Sequence, residues 1–143
     1  MSRKSRSQRD SPRFMPMVIL PADAPVPPEP HEVEAAWILA RHFGAVVEFL
    51  QPSEGYKMKT ADMVMNGVIW EIKSPTGSGR TTIPNQFHRA SKQSSHIVFD
   101  ARRVHLSEDV VLAQVRRETA RRRHIRAVLF IAKDGTVLEV RPT

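Results

Sequence analysis

The dipeptide Asn66-Gly67 constrains this sequence more than any other feature. Both central residues of a type I′ turn need a positive φ angle, and Asn followed by Gly adopts that conformation readily. The dipeptide joins "TADMVM" to "VIWEIKS", which are two runs rich in β-forming residues. The sequence therefore predicts a β-hairpin with a two-residue loop, and the length of that loop sets the register of its strands.

The predicted register brings two acidic residues together. If Met65 faces Val68 across the turn, counting outward places Asp62 directly opposite Glu71. Because side chains alternate along a strand, one face of the hairpin carries both charged and apolar residues: Asp62, Val64, Ile69, Glu71 and Lys73. The other face carries Met63, Met65, Val68, Trp70 and Ile72 and is predicted to be core.

Directly opposed carboxylates repel, at a cost of about 0.2–1 kcal/mol. A divalent cation between Asp62 and Glu71 would remove this repulsion, since Mg²⁺ is commonly held by one or two carboxylates with water and substrate phosphate. Lys73 would then stabilise charge on that phosphate. The competing interpretation is a solvated face on which Lys73 screens Glu71. Val64 and Ile69 on the same face indicate partial burial and favour the metal site.

The overall charge favours a polyanionic partner. The 143 residues include 22 Lys and Arg against 15 Asp and Glu, a formal net charge of +7, so nucleic acid is predicted ahead of an anionic membrane. The absence of cysteine excludes disulfides and thiolate metal sites. Because no apolar run approaches the roughly 18 residues of a membrane helix, we expect no membrane partner. We recognise no signal peptide and expect action in the cytoplasm, with secretion by another route left open.

Composition divides the chain near residue 30. Seven of the eleven prolines lie in residues 1–30, which begin with a Ser/Arg-rich segment, so we predict a disordered basic tail there and one folded domain over residues 31–143. The tail cations would either contact phosphates or keep the protein soluble. A less favoured alternative docks "MPMVIL" as an edge strand.

Downstream patterns predict an α-β-β-β-α-β-α-β-β order. "HEVEAAWILARHFG" has helical periodicity and a terminal glycine. The second helix is predicted to begin at Thr81 or Thr82, and its polar stripe consists of Gln86, Arg89 and Gln93. "HIVFD" is predicted to be a buried parallel strand, and "SEDVVLAQVRRETARRR" a helix capped by Ser107. A final hairpin turns at Asp134-Gly135. The arginines between positions 116 and 126 would either follow a phosphate backbone or complement the helix dipole.

Asp62 followed by Glu71-Ile72-Lys73 on this element order resembles the PD-(D/E)XK nuclease superfamily, although Ala61 replaces the proline of its motif. The resemblance implies an α/β (α+β) restriction-endonuclease-like core, α-β-β-β-α-β, with an added helix and a C-terminal β-hairpin. It also implies that Asp62 and Glu71 bind Mg²⁺ or Mn²⁺ and that Lys73 assists phosphodiester cleavage. Glu34 matches a helix-borne catalytic acid of the superfamily, with Glu32 on the same segment as the alternative.

The segment "WEIKSPTGSGRTTIPNQFHRASKQSSHIVFD" is similar to the toxin nuclease domain at the C-termini of CdiA proteins of contact-dependent growth inhibition. This likeness implies a metal-dependent endonuclease that cleaves RNA, most simply tRNA, and a cognate immunity protein as inhibitor. It assigns supporting or substrate-binding roles to Ser74, Thr76, Gln86, Arg89 and Gln93.

Other interpretations remain open at this point. The same fold with a DNA substrate is the nearest alternative, because a basic surface attracts phosphates of either polymer. A catalytically silent nucleic-acid-binding module would have no need of the opposed acids. Metal-independent RNA cleavage would use His88 and His96 as acid and base. A barnase-like fold would lack the parallel strand predicted at "HIVFD".

Overall fold

The computed structural model describes residues 15–22, 27–50, 62–90 and 95–140. In these ranges the chain forms seven strands and three helices. In chain order they are β1 (Met17–Ile19), α1 (Pro30–Phe43), β2 (Val46–Phe49), β3 (Asp62–Met65), β4 (Val68–Lys73), α2 (Thr82–Ala90), β5 (His96–Asp100), α3 (Glu108–Ala120), β6 (Ala127–Ile131) and β7 (Val137–Val140).

The strands form one mixed sheet whose spatial order follows the chain, from β1 to β7. β1 pairs in parallel with β2, and β4, β5 and β6 pair in parallel with one another. The remaining neighbours are antiparallel. From α1 onward the predicted order of elements is confirmed, as is the parallel strand at "HIVFD". That strand is inconsistent with the barnase-like alternative, whereas the restriction-endonuclease-like classification stays a prediction.

The strand β1 lies within the segment for which the sequence predicts a disordered tail. Its backbone extends the sheet beside β2, and Met17 N donates to Ala45 O at 3.3 Å. The half-buried Val18 packs against the core. The four apolar residues between Pro16 and Pro21 therefore contain an edge strand, which confirms the less favoured alternative, even though the surrounding composition disfavours regular structure. The tail cations at positions 3 to 13 lie outside the described residues.

Helices cover both faces of the sheet. Leu39 and neighbouring residues of α1 pack with Met63, Trp70, Ile72 and Val98 on one face, hereafter the α1 face. On the opposite face, hereafter the α2/α3 face, Ile83 and Phe87 of α2 and Val111 and Val115 of α3 pack on Ile97, Phe99, Val128 and Phe130. Side chains on adjacent positions of one strand therefore point into two separate cores.

The ends of the helices follow local chemistry. α1 begins with Pro30 in its first turn, and Glu29 N donates to Glu32 Oε1 at 2.8 Å, as in a capping box. It ends at Gly44, whose φ of 59° is left-handed. Ser107 occupies the predicted N-cap position of α3, but its side chain makes no capping hydrogen bond. The helix α3 ends at Ala120 and not at Arg123. In the described ranges, no helix combines the length and apolar content needed to span a membrane.

Candidate active site

The central hairpin forms in the predicted register. Asn66 and Gly67 have φ angles of 53° and 77°, as a type I′ turn requires. Asp62 is paired with Glu71 across β3 and β4, in the same ladder that pairs Met65 with Val68. The position of the two acids is thus a consequence of the turn, because a loop one residue longer would move one of them to the other face.

Asp62, Glu71 and Lys73 lie on the α2/α3 face. Glu71 is paired in register with Ile97 and Lys73 with Phe99, and both of these β5 residues belong to the core beneath α2 and α3. Glu71 and Lys73 are accordingly only 2% and 7% exposed. The predicted partial burial of Ile69 is wrong, since this residue is 54% exposed. It lies beside the turn, before β4 begins to pair with β5 at Glu71.

Glu71 and Lys73 form a buried ion pair, with Lys73 Nζ 3.0 Å from Glu71 Oε2. Removing two charges from water costs several kcal/mol per ion, and the attraction between them often fails to exceed that cost. A pair of apolar residues would fill the same space with no such cost. The ion pair is therefore weak evidence for a contribution to stability.

Asp62 faces this pair and is strained electrostatically. Burial, and after it the negative charge of Glu71, raises the pKa of Asp62 from 3.8 to about 6, although the positive charge of Lys73 acts in the opposite direction. A cation between the two carboxylates would relieve this unfavourable ionisation. Two carboxylates, supplemented by water and substrate phosphate, fit the ligand preference of Mg²⁺ or Mn²⁺. Among the described residues, no group of three or more His, Cys, Asp and Glu side chains is arranged to hold a metal.

The predicted catalytic role of Glu34 is not supported by its position. Glu34 lies on α1, which packs on the opposite face of the sheet from Asp62 and Glu71. Its largely exposed carboxylate pairs with Arg102, whose Nη1 lies 3.2 Å from Glu34 Oε1. The alternative, Glu32, accepts the capping hydrogen bond at the start of α1. Neither Glu34 nor Glu32 joins Asp62 and Glu71, because α1 and the hairpin pair lie on opposite faces of the sheet.

The residue that Glu34 contacts belongs to a network missed by sequence reasoning. The fully buried Asp100 ends β5 and accepts hydrogen bonds from Arg102 Nε at 2.9 Å and Nη2 at 2.8 Å. The hydrogen bond to Asp100 raises the pKa of Arg102 above its ordinary value. Ser74 Oγ donates to Asp100 Oδ2 at 3.4 Å. An acid at the carboxyl end of a buried parallel strand is the signal that could have identified this network.

Ser74 therefore projects to the α1 face, while Lys73 immediately before it projects to the other. Thr76 is exposed in the loop that follows. This loop is attached to the segment after β5, because His105 N donates to Gly77 O at 3.1 Å. Both predicted substrate-binding residues thus lie at the carboxyl end of β4, beside Lys73 in the chain, and their contact with substrate stays a prediction.

The loop depends on the lack of a side chain at Gly77. A Cβ atom at this position would lie 2.5 Å from Thr82 Oγ1, whereas one at Gly79 would lie 3.8 Å from the same atom. We expect Gly77→Ala to lower the free energy of unfolding by about 1–3 kcal/mol, as overpacking generally does, and Gly79→Ala to have a smaller effect. Thermal denaturation of both variants checks this. Equal melting temperatures for the two variants would contradict the role of Gly77.

The helix α2, which carries other predicted substrate-binding residues, packs on the α2/α3 face, where the acidic pair lies. Gln86 is half-buried and Arg89 exposed on this helix, while Gln93 lies outside the described residues. His88 is exposed on α2. His96 contacts Trp70 with ring centroids 5.0 Å apart, so it lies toward the α1 face and not beside Lys73. The structure does not bring the two histidines together as the metal-independent alternative requires.

Comparison with known proteins agrees with this architecture. Residues 59–137, more than half of the chain, match the family model described as the contact-dependent growth inhibition CdiA C-terminal domain. A solved structure, the CdiA-CT/CdiI toxin and immunity complex from Burkholderia pseudomallei, contains a similar fold with a TM-score of 0.56 and 18% sequence identity, covering 88% of this chain and 99% of that one. No match was found among curated proteins. On the strength of the family match, this chain belongs to the CdiA C-terminal domain family of contact-dependent growth inhibition.

Proposed function

We propose that this protein is a toxin that acts as a metal-dependent endonuclease on RNA, with tRNA as the first candidate substrate. The observation that carries the proposal is the arrangement of Asp62 opposite Glu71, with Lys73 paired to Glu71 on one largely buried face. The family to which the chain belongs supports it, because the similar Burkholderia pseudomallei protein is described as a toxin.

In the proposed reaction, Asp62 and Glu71 would hold Mg²⁺ or Mn²⁺ through carboxylate oxygens. Such an ion would polarise a phosphate and lower the pKa of a water molecule. Water attacks the phosphorus and releases one proton to solvent, the bond between phosphorus and the leaving oxygen breaks, and the leaving oxygen takes up one proton from solvent, so that one water molecule is consumed and no net proton is required. Lys73, an ammonium held beside Glu71, stabilises the negative charge that develops on the phosphate. The surrounding apolar residues exclude competing water and strengthen these interactions.

The proposed substrate and partner follow from charge. A formal net charge of +7 attracts nucleic acid, and the exposed Arg89 extends from the same face as the acidic pair. The similar Burkholderia pseudomallei toxin was solved with an immunity protein, so we propose a cognate inhibitor that covers this face. An acidic inhibitor would complement the basic surface of the toxin.

A cleavage assay tests the proposed function. Purified protein is incubated with total tRNA and with plasmid DNA, each in Mg²⁺ or in EDTA. We expect cleavage of tRNA in Mg²⁺, none in EDTA, and at least about a hundredfold less from Asp62→Ala. Glu34→Gln is the matched control for removal of a carboxylate and is expected to cut normally, because Glu34 lies on the other face. Cleavage of plasmid DNA alone would replace the RNA substrate with DNA, and full activity of Asp62→Ala would overturn the site.

A further inference from the structure

The second half of α3 contains a buried acid that the proposed reaction does not use. Glu118 is only 2% exposed, although it lies in the last turn of the helix. Three arginines surround its carboxylate: Oε2 lies 3.8 Å from Arg117 Nε and 3.5 Å from Arg121 Nη1, and Oε1 accepts a short hydrogen bond from Arg122 Nη1. One carboxylate thus holds three guanidinium groups.

The arginines differ in how firmly they are held. Arg122 also donates to Glu118 O at 3.2 Å, and its guanidinium carbon lies 5.9 Å from the ring centroid of Phe87 on α2. Arg117 and Arg121 are exposed and keep donor groups available to solvent. Arg116, Arg123 and Arg126 are also exposed, which gives six arginines and one glutamate within residues 116–126. We refer to the six arginines as the α3 arginine cluster.

Compensation of the helix dipole does not account for Glu118. Cations are favourable at the C-terminal end of a helix, and acids are unfavourable there. A glutamate buried at this position therefore works against the dipole, and it also partly cancels the attraction of the cluster for anions. What it does supply is a fixed attachment point for three long side chains, which would otherwise repel one another and sample many rotamers.

The arginines held by Glu118 lie on the same face of the sheet as the acidic pair, whereas Arg126 lines a cavity beside Trp70 of the α1 face. Phe87, which Arg122 contacts, stacks on Phe99 with ring centroids 5.8 Å apart. Phe99 is in turn paired in register with Lys73. A nucleic acid that lies over α2 and the end of α3 would therefore remain on the face that carries Asp62, Glu71 and Lys73.

We propose that the α3 arginine cluster binds backbone phosphates of the RNA substrate and that Glu118 is the positioning residue that holds Arg117, Arg121 and Arg122 for this contact. The inference rests on the proposed nuclease function for the identity of the RNA. It can fail separately, because it concerns binding and not cleavage. Arg–phosphate contacts of this kind determine affinity and its dependence on salt.

The test measures binding of labelled total tRNA as a function of salt, with every variant in an Asp62→Asn background and in EDTA so that the RNA stays intact. Arg117→Gln with Arg121→Gln is expected to weaken binding about tenfold at 0.1 M salt and to reduce the slope of log K against log salt by about 1.5.

The matched control, Arg41→Gln with Lys133→Gln, removes the same charge from exposed positions outside the cluster, Arg41 being on α1. It is expected to change the slope by less than about 0.5. Equal losses in the two double variants would show that only net charge matters and would overturn the proposal.

Glu118→Gln distinguishes a positioning role of Glu118 from a simple effect of charge, because the two predict opposite changes in the affinity for tRNA. The variant is more positive by one charge, so affinity determined by net charge alone would increase. If Glu118 positions the cluster, affinity for tRNA falls about threefold or more. Unchanged or tighter binding by the folded variant would overturn the positioning role. Because Arg117 and Arg121 are exposed, their double variant tests phosphate binding even if Glu118→Gln does not fold.

If the double variant Arg117→Gln, Arg121→Gln binds RNA more weakly and still cuts normally at saturating RNA, this result would support both the nuclease function and phosphate binding by the α3 arginine cluster. Loss of cutting by Asp62→Ala with unaltered tRNA binding would leave the cluster in place and locate the chemistry at the hairpin. Full cutting by Asp62→Ala, with weaker binding only in the arginine variant, would overturn the catalytic site while supporting the cluster.

Discussion

Asp62→Asn is expected to abolish Mg²⁺-dependent cleavage and, at pH 7.5, to make the metal-free protein more stable. The pKa of Asp62 is raised from 3.8 to about 6 by burial and by the charge of Glu71, so an ionised Asp62 opposes folding. A shift of this size corresponds to about 3 kcal/mol, and because the side chain is partly exposed we expect a gain of about 1–2 kcal/mol. Neutral Asn removes the repulsion and one metal ligand together.

The pH dependence of this gain has a defined sign. Between pH 3.8 and about 6 the folded wild-type protein binds more protons at Asp62 than the unfolded chain, so its stability falls as pH rises through this window. The advantage of Asp62→Asn should therefore be absent below pH 4 and complete above pH 6. Urea denaturation in EDTA at pH 4, 5, 6 and 7.5 measures it.

Two controls accompany this measurement. Asp134→Asn removes an exposed carboxylate whose pKa is lowered by a hydrogen bond from the Thr136 backbone, so the sign of its effect on stability should be opposite. Added Mg²⁺ should raise the melting temperature of the wild type but not that of Asp62→Asn. A variant that is less stable than the wild type at pH 7.5, or equally stabilised by Mg²⁺, would show that Asp62 is not a metal ligand whose ionisation opposes folding.

Lys73→Met is expected to lower cleavage by at least about a hundredfold and to destabilise the protein by about 3 kcal/mol. The loss of activity follows from removal of the charge beside the reacting phosphate. The loss of stability follows because Glu71, only 2% exposed, would be left without the ammonium that now lies 3.0 Å from it. A loss of activity in this single variant would therefore be ambiguous.

The double variant Glu71→Gln, Lys73→Met resolves the ambiguity. Removing both buried charges should return the free energy of unfolding to within about 1 kcal/mol of the wild type, since well-packed neutral residues often replace a buried ion pair without cost. Cleavage should stay absent. Recovery of both stability and cutting would mean that the ion pair is structural, whereas recovery of stability alone assigns it to the chemistry. Chemical denaturation and the tRNA assay, run on the same preparations, provide the two readouts.

The sequence by itself determined the hairpin and the pairing of Asp62 with Glu71. Both depend on local rules: Asn66 and Gly67 tolerate positive φ, a two-residue loop sets the register, and side chains alternate along a strand. The order of the elements after residue 30 and the N-cap position of Ser107 were predictable for the same reason. Each of these features is specified by residues close together in the chain.

Only the tertiary structure decided which distant residues meet. Spacing cannot show on which side of a sheet a helix packs, and this choice separates Glu34 from the acidic pair and places it against Arg102, 68 positions further along the chain. The same holds for the contact of Arg122 with Phe87 and for the edge strand β1, which is formed by pairing with β2. These contacts arise from packing between elements, where the free energy depends on surfaces brought together by the whole fold and not on local propensity.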